Sequence, residues 1–377
     1  MPLTVRSITV RHHPANGTDA FTSGDCVSGE ITVDLAKDCE VSCLSVKFKG
    51  KASVMWSERS GKTTVVYRSK DKYFSVTQFF IRQQRGPEED NMPLLTDVNG
   101  RAYSNILTTG SHVYPFTFQF PDQDMPSSYN GTYGKIVYSF EAKLSRSMRI
   151  NSKASTKINF VSKVDPNSVP GLMMPQYGSK DKKMKIFTSG SVGMDVNLAK
   201  TGYHLGEGIK IMASVHNKSS REIKTKCCIY TKHSFFANGK RKLCTKDLFK
   251  VVGESIPPST NRIVTSIIHI PPVITTSILN CSIIKVEYRI RVCLDVKYAF
   301  DPEIKFPIVI LPATQPLALE QPPAYAGFGF ETSGTSNQPA CSAPPQFSAA
   351  PQPAEPPPPY DTCGMYPSSS DFGNKYP

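Results

Sequence analysis

The feature that most constrains this chain is an alternation of apolar and polar residues that returns, in the same order, in its two halves. In the longest case, residues 284–296, every second residue is apolar and most of those between are charged. A period of two predicts a half-buried β-strand with one face in a core. The i, i+3, i+4, i+7 spacing of an amphipathic helix is scarce. We therefore predict an all-β chain without long helices.

An internal duplication sets the number of domains. Gly24-Asp25-x-Val27 reappears as Gly206-Glu207-x-Ile209, an offset of 182 residues, and the stretch 120–144 reappears as 270–294, an offset of 150. Two collinear matches are hard to attribute to chance among Val- and Ile-rich strands. The difference between the offsets predicts an insertion in the first copy, which we place at residues 82–110.

The duplication predicts two antiparallel β-sandwich domains of similar topology, residues 1–163 and 185–313. Residues 164–184 between them form an unpatterned linker that ends in a basic run. Residues 314–377 hold 14 of the 31 prolines, with Ser, Gln, Ala and Gly and no periodicity. Such a composition cannot bury enough apolar surface to offset the entropy of ordering. We therefore predict a disordered tail with a polyproline-II bias.

Charge is distributed unevenly. The chain carries a net +13, but residues 314–377 carry −4 and residues 1–313 carry +17. A body this basic favours an anionic partner. No aromatic residues are interleaved with the basic ones, which disfavours nucleic acid, whereas an anionic membrane surface and phosphorylated cytosolic receptor tails both fit. The candidate basic clusters are residues 68–72, 180–185, 224–226 and 240–242, together with Arg6 and Arg11.

The compartment is predicted to be the cytosol. The first ten residues lack the basic and apolar regions of a signal peptide, and no apolar stretch is long enough to cross a bilayer. We interpret the ten cysteines as reduced, buried thiols rather than disulfides, because the adjacent Cys227 and Cys228 would point to opposite faces of a strand.

Signatures of catalysis are missing from the sequence. There is no Gly-x-Ser-x-Gly elbow, no His-Glu-x-x-His pair and no Cys-x-x-Cys. Gly61-Lys62-Thr63 imitates the end of a phosphate-binding loop, but Trp56 stands where its first glycine is needed. We predict a protein that is not an enzyme and that binds neither metal nor cofactor.

Two short motifs in the tail carry the most functional information. They are Pro322-Pro323-Ala324-Tyr325 and Pro357-Pro358-Pro359-Tyr360. Both fit Pro-Pro-x-Tyr, a ligand of WW domains. The prolines pre-set the polyproline-II helix and the tyrosine fills an adjacent pocket. A flexible linker of 35 residues spans about 30–35 Å, enough for one ligase with tandem WW domains to hold both motifs.

The combined pattern resembles the alpha-arrestins, the arrestin domain-containing proteins. Gly-Asp-x-Val-x-Gly-Glu-Ile at 24–31, Phe-Thr-Phe-Gln-Phe-Pro at 116–121 and Gly-Lys-Ile-Val-Tyr at 134–138 resemble the arrestin N-terminal domain, and Gly-Tyr-His-Leu-Gly-Glu at 202–207 resembles the start of the C-terminal domain. The resemblance implies two arrestin-like, immunoglobulin-like sandwiches. It also implies a cytoplasmic adaptor, recruited to the plasma membrane and to endosomes or lysosomes.

As such an adaptor, the body would engage the cytosolic tails of membrane receptors or transporters, and the tail would recruit HECT-type ubiquitin ligases through their WW domains. The cargo would then be ubiquitinated, internalised and sorted to lysosomes. No Pro-Ser/Thr-Ala-Pro sequence is present, because Cys341-Ser-Ala-Pro344 lacks the leading proline, so direct recruitment of the budding machinery is not expected.

Two alternatives stay open. One is a redox-responsive metabolic regulator, like the thioredoxin-interacting relative in this family. It would use a thiol such as Cys244, which follows the basic run 240–242. The other is a vesicle-coat subunit resembling the arrestin-like component of retromer, which would act without the tail.

Overall fold

The computed structural model describes residues 4–14, 19–83, 94–163, 169, 171–183, 190–296 and 301–313. Within these residues the chain is all β, and no helix occurs. The N-terminal strands are β1 Val5–His12, β2 Ala20–Phe21, β3 Cys26–Leu35, β4 Cys39–Glu40, β5 Cys43–Ser60, β6 Thr63–Arg82, β7 Ile106–Leu107, β8 Gly110–Gln119, β9 Tyr129–Asn130, β10 Gly134–Ser145 and β11 Ser152–Phe160. The C-terminal strands are β12 Gln176–Lys183, β13 Gly190–Leu198, β14 Gly202–His204, β15 Gly208–Ser219, β16 Ile223–Ala237, β17 Lys240–Ile256, β18 Thr260–His269, β19 Ile284–Asp295 and β20 Glu303–Leu311.

Each half forms a sandwich of two sheets, and the two halves share one topology. In the N-terminal sandwich the sheets have the orders β1-β3-β8 and β2-β11-β10-β5-β6, while β9 pairs with β10 and β4 pairs with β7. The C-terminal sandwich repeats them as β13-β15-β18 and β14-β20-β19-β16-β17, with β12 added beside β13. Even the short parallel pair is repeated, β2 with β11 and β14 with β20. The predicted all-β fold with two sandwiches is confirmed.

The repeated Gly-acid sequence forms the same turn in both copies. Gly24 has φ 81° and Gly206 has φ 86°, a backbone conformation that glycine adopts without steric cost. The Asp25 Oδ2 atom accepts a 2.7 Å hydrogen bond from the Thr22 N–H, and the Glu207 Oε2 atom accepts one of 2.9 Å from the His204 N–H. The carboxylate therefore closes each turn before the chain enters β3 or β15.

The two cores use different side chains at matching positions. In the N-terminal core the Phe48 ring lies 4.7 Å from Phe140 and 4.8 Å from Phe120, centroid to centroid. The residues that match Phe120 and Phe140 in the C-terminal core are Ile270 and Ile290, both buried. The alternating pattern is conserved between copies, because burying one strand face requires apolar residues but not a particular ring.

The structure changes one detail of the sequence-based division and agrees with another. β12 lies inside the expected linker 164–184 and pairs with β13, so this segment is not wholly an unpatterned connector. The extra residues of the first copy lie where expected, because β6 and β8 are separated by 83–109 whereas β17 and β18 are separated by a short turn. The boundaries at 163 and 185 stay predictions, and the tail 314–377 lies outside the described residues.

Candidate functional site

The six residues of the predicted ligase-binding motifs lie outside the described residues. They are Pro322, Pro323, Tyr325, Pro357, Pro358 and Tyr360. The described body ends at Ala313, directly after β20. The assignment of these residues to WW-domain binding therefore stays a prediction from the sequence. The body offers three further features: the contact between the sandwiches, two hairpin tips beside it, and a pair of clefts.

A tyrosine–histidine pair lies at the centre of the contact between the sandwiches. Tyr129 from the first domain places its hydroxyl 2.7 Å from the Nδ1 atom of His233 on β16, and the two rings are stacked. The Nε2 atom of His233 lies 3.1 Å from the Thr231 hydroxyl. A neutral His233 imidazole can therefore form a hydrogen bond at each ring nitrogen: Tyr129 donates to Nδ1, and Nε2–H donates to the Thr231 hydroxyl.

The environment keeps both members of this pair uncharged. Burial, with a contribution from Lys246, lowers the pKa of His233 below its usual range. Burial, with a contribution from Cys244, raises the pKa of Tyr129 to about 12. A neutral phenol and a neutral imidazole can form this hydrogen bond without placing a charge between the domains.

Polar bridges surround the central pair. Ser282 donates to the Asp71 carboxylate at 2.8 Å, and the Asn280 amide donates to Asp124 at 2.6 Å. Gly134 also lies at the contact, where an added Cβ would come within 3.0 Å of the Phe235 ring and the Ile284 side chain. The sandwiches therefore meet through a small number of specific, closely fitted contacts.

Two long hairpins, β5–β6 and β16–β17, reach beyond this contact and lie side by side. Lys242 on the second hairpin donates to the Glu58 carboxylate on the first at 2.9 Å. The turn of the second hairpin contains Asn238 and Gly239 with φ 50° and 70°, the left-handed pair that a tight two-residue hairpin requires. The hairpin tips form an exposed, basic edge, since Lys62 and Lys240 are both exposed.

A pair of adjoining clefts separates the sandwiches on another side. Their volumes are about 570 and 780 Å³. Ser127, Lys163 and Pro312 belong to both linings. Asp122 and Asp124 line only the smaller cleft and His204 only the larger one. Acidic and basic side chains therefore both line the clefts.

The basic clusters expected from the sequence are dispersed over the body. Residues 180–183 lie on β12 and 224–226 on β16, where Lys226 pairs with Asp295 at 2.7 Å. Residues 240–242 lie at the second hairpin tip, and residues 68–72 lie on β6. Sequence reasoning missed the alternating lysines 47, 49 and 51 of β5, although a basic residue at every second position of a strand places all three on one face.

The expectation of uniformly buried thiols is partly wrong. Cys227, Cys228 and Cys281 are buried free thiols, but Cys26 is exposed and Cys39, Cys244 and Cys293 are half-buried. Burial raises the pKa of Cys227 to about 11 and also raises that of Cys228 and Cys293. These three thiols are therefore poor nucleophiles at neutral pH. Cys244 lies opposite His233 across β16 and β17.

Two other features are absent from the described part of the chain, a cluster of metal ligands and a membrane-spanning helix. No three His, Cys, Asp or Glu side chains there come together as a metal site would require. None of the described residues belongs to a helix that could cross a membrane.

Each of the two sandwiches matches a known protein family. Residues 12–167 match the family described as Arrestin (or S-antigen), N-terminal domain, and residues 188–315 match Arrestin (or S-antigen), C-terminal domain. Arrestin domain-containing protein 4 of Mus musculus is 29% identical over 321 residues, which cover 84% of this chain and 72% of the relative. Thioredoxin-interacting protein of Rattus norvegicus is 27% identical over 293 residues, which cover 77% and 70%.

Proposed function

Because the chain belongs to the arrestin family and is related to the alpha-arrestins, non-enzymatic proteins that act as adaptors, we propose that it links membrane cargo to WW-domain HECT-type ubiquitin ligases. The body chooses the cargo and the tail brings the ligase. Cargo joined in this way is ubiquitinated, internalised and sorted through endosomes to lysosomes. The protein would work in the cytoplasm and at the plasma membrane and endosomes, and within the family we place it near the third arrestin domain-containing protein.

The observation that carries this proposal is the pair of Pro-Pro-x-Tyr motifs in a proline-rich tail behind an arrestin body. A polyproline segment loses little entropy on entering an aromatic groove, so a short motif binds usefully without a folded partner surface. A second motif on the same chain converts the second contact into an intramolecular one and raises avidity by roughly 10²–10⁴.

The body supports the cargo half of the proposal through its charge and its shape. Residues 1–313 carry a net +17, which suits acidic or phosphorylated cytosolic segments of receptors and transporters. The two basic hairpin tips provide a convex surface, and the clefts provide a concave one on another side of the body. Peripheral association with the membrane that holds the cargo fits the same charge.

The proposal is tested by removing the tyrosines of both motifs in the full chain. Tyr325→Ala/Tyr360→Ala is expected to abolish capture of a tandem-WW ligase fragment, whereas each single variant keeps partial binding. Tyr366→Ala/Tyr376→Ala is the matched control, because it removes two tail tyrosines that belong to no such motif. Undiminished ligase capture by the first double variant would overturn the proposal.

A second candidate function is supported by the match to thioredoxin-interacting protein. A redox regulator of this kind would form a mixed disulfide through Cys244: a peroxide oxidises the Cys244 thiol to a sulfenic acid, which condenses with a thioredoxin thiol and releases water. The candidate is tested by trapping with a thioredoxin that lacks its resolving cysteine, using Cys244→Ser as the control. The absence of a Cys244-dependent adduct rejects it. A coat-subunit role, the remaining alternative, requires residues 1–313 to act in cells without the tail.

A further inference from the structure

Basic side chains cover the outer face of the large N-terminal sheet, here called the N-face. It comprises the outward residues of β11, β10, β5 and β6 that lie level with residues 45–55 of β5. Ten cations occupy it: Lys47, Lys49, Lys51, Arg68, Lys70, Lys72, Lys135, Lys143, Lys153 and Lys157.

Strand register brings these residues together from four separate segments. On one side of β5, Lys51 lies opposite Lys72 and Met55 lies opposite Arg68. On the other side, Lys47 lies opposite Glu141 of β10. Directly paired residues share a face and neighbouring strands are about 4.8 Å apart, so the cations form a two-dimensional array and not a line.

Almost nothing within the array neutralises it. Glu141 is the one carboxylate among these outward positions, and it forms an ion pair with Lys49. Its pKa is lowered, first by the hydrogen bond from Lys49, with Lys153 and Lys47 adding to the effect. Among the ion pairs of the described residues, none includes another cation of the N-face.

The matching face of the C-terminal sandwich, here called the C-face, shows that the sheet itself does not require this excess. Its strands β17, β16, β19 and β20 carry the outward cations Lys224, Lys226, Lys232, Arg241, Lys250, Lys285, Arg289, Arg291 and Lys305 and the outward carboxylates Asp247, Glu287, Asp295 and Glu303. Three ion pairs join them: Lys226 with Asp295, Arg291 with Asp247, and Lys305 with Glu303. Four carboxylates and three ion pairs reduce the positive charge of the C-face, whereas one carboxylate and one ion pair do so on the N-face.

The shape of the N-face selects among anionic partners. Four strands cover about 15 Å, and residues 45–55 of β5 extend about 34 Å in the other direction. None of the ten cations lines either cleft between the sandwiches. An extended phosphopeptide is best held in a groove, whereas a broad array without one matches a broad anionic plane. Two apolar side chains at its end, Met55 and Val66, are 58% and 44% exposed. Basic residues beside exposed apolar ones are typical of proteins that bind membrane surfaces.

We propose that the N-face docks this protein on an anionic lipid bilayer, with Lys51, Lys70 and Lys72 at the centre of the contact. This inference deepens the adaptor function, on which its cellular meaning rests. Docking through one sandwich would hold the body against the membrane and leave the C-terminal sandwich and the tail available to other partners.

The test is co-sedimentation of the full-length protein with phosphatidylcholine vesicles, with and without phosphatidylserine, at physiological salt. Wild-type protein is expected to bind only the vesicles that contain phosphatidylserine. Lys51→Gln/Lys70→Gln/Lys72→Gln should weaken that binding about 100-fold, since each basic residue near such a surface contributes several-fold. The matched control, Lys224→Gln/Lys250→Gln/Lys285→Gln, removes the same charge from exposed positions of the C-face. The affinity of this control for vesicles that contain phosphatidylserine should stay within about threefold of wild type, because charges away from the contact are screened.

Several results would overturn the proposal: no preference of the wild type for phosphatidylserine, equal losses in the two triple variants, or an N-face triple variant that binds as wild type does. The proposal would also be overturned if the protein does not bind vesicles and its N-face binds a phosphorylated peptide or a nucleic acid instead. Ligase capture by the N-face triple variant, measured on the same preparations, should be unchanged. Failure of lipid docking is thereby distinguishable from failure of the adaptor proposal.

Discussion

The two sandwiches have the same strand order, but they differ in their core-facing side chains and in their outward side chains. Inside, the N-terminal core stacks phenylalanine rings around Phe48, whereas the C-terminal core places Ile270 and Ile290 at the matching sites. Outside, the N-face carries ten cations and one carboxylate, whereas the C-face mixes both signs and joins them in ion pairs. A duplicated fold has thus kept its alternation and changed the chemistry of both surfaces.

This difference separates what the fold requires from what it leaves free. The alternation is required because every second side chain of these strands faces the core. The identity of the core side chain is constrained by volume and packing, and the outward side chain is constrained only by exposure to water or to a partner. An uncompensated outward array on one copy alone is therefore better explained by a partner than by folding.

The largest expected effect concerns the two cores. Phe140→Ala should lower the free energy of unfolding by about 3–5 kcal/mol and Ile290→Ala by about 2–5 kcal/mol, because each leaves a cavity among buried neighbours. Denaturant unfolding of the full chain measures both. Met55→Ala, at an exposed position, is the control and should change stability by less than about 0.5 kcal/mol. A loss below about 1 kcal/mol for Phe140→Ala would show that the aromatic core is loosely packed.

A smaller effect is expected at the matching turns. Gly24→Ala and Gly206→Ala should each cost about 1–2 kcal/mol, because alanine disfavours positive φ. An added Cβ meets no atom within 4 Å at either position, so the cost is one of backbone conformation alone. Similar shifts of the two unfolding midpoints would support equivalent turns. A cost at only one of them would show that the two copies enter β3 and β15 differently.

The smallest effect concerns the contact that joins the sandwiches. The pKa of His233 is lowered in the folded protein, so below about pH 6.5 the unfolded chain binds a proton that the native state binds only at lower pH. Stability should therefore fall as the pH decreases from about 6.5, by at most about 1.4 kcal/mol per pH unit.

His233→Gln should flatten that part of the curve, which is measured by urea unfolding between neutral and mildly acidic pH. The half-buried His112, which contacts the Thr108 carbonyl oxygen, provides the matched control as His112→Gln. If both variants keep the wild-type slope, the Tyr129–His233 contact does not respond to pH in this way.

Part of this architecture could be predicted because its causes are local in the sequence. The repeated stretches 120–144 and 270–294 begin directly after β8 and β18 and contain β10 and β19 up to their last residues. Their offset of 150 residues was visible in the sequence because a two-residue period survives changes of side chain. The strand β12 was missed because its sequence, Gln176–Lys183, is polar and shows no apolar alternation. It is a strand because β13 offers it an edge to pair with.

The same distinction between local and long-range causes applies to the candidate site. The Pro-Pro-x-Tyr motifs can be recognised in the sequence because a polyproline ligand carries its conformation in its own residues, and their role stays a prediction. The contact of Tyr129 with His233 was not, since it joins residues more than a hundred positions apart that occur in no common motif.

By itself, the sequence determined two β-sandwiches of one topology and a proline-rich segment with two ligand motifs, because alternation and proline content act over a few neighbouring residues. Only the tertiary structure decided which lysines stand side by side. Lys47, Lys72 and Lys157 become parts of one surface through strand pairings between distant segments, and register is set by the packing of the whole sandwich.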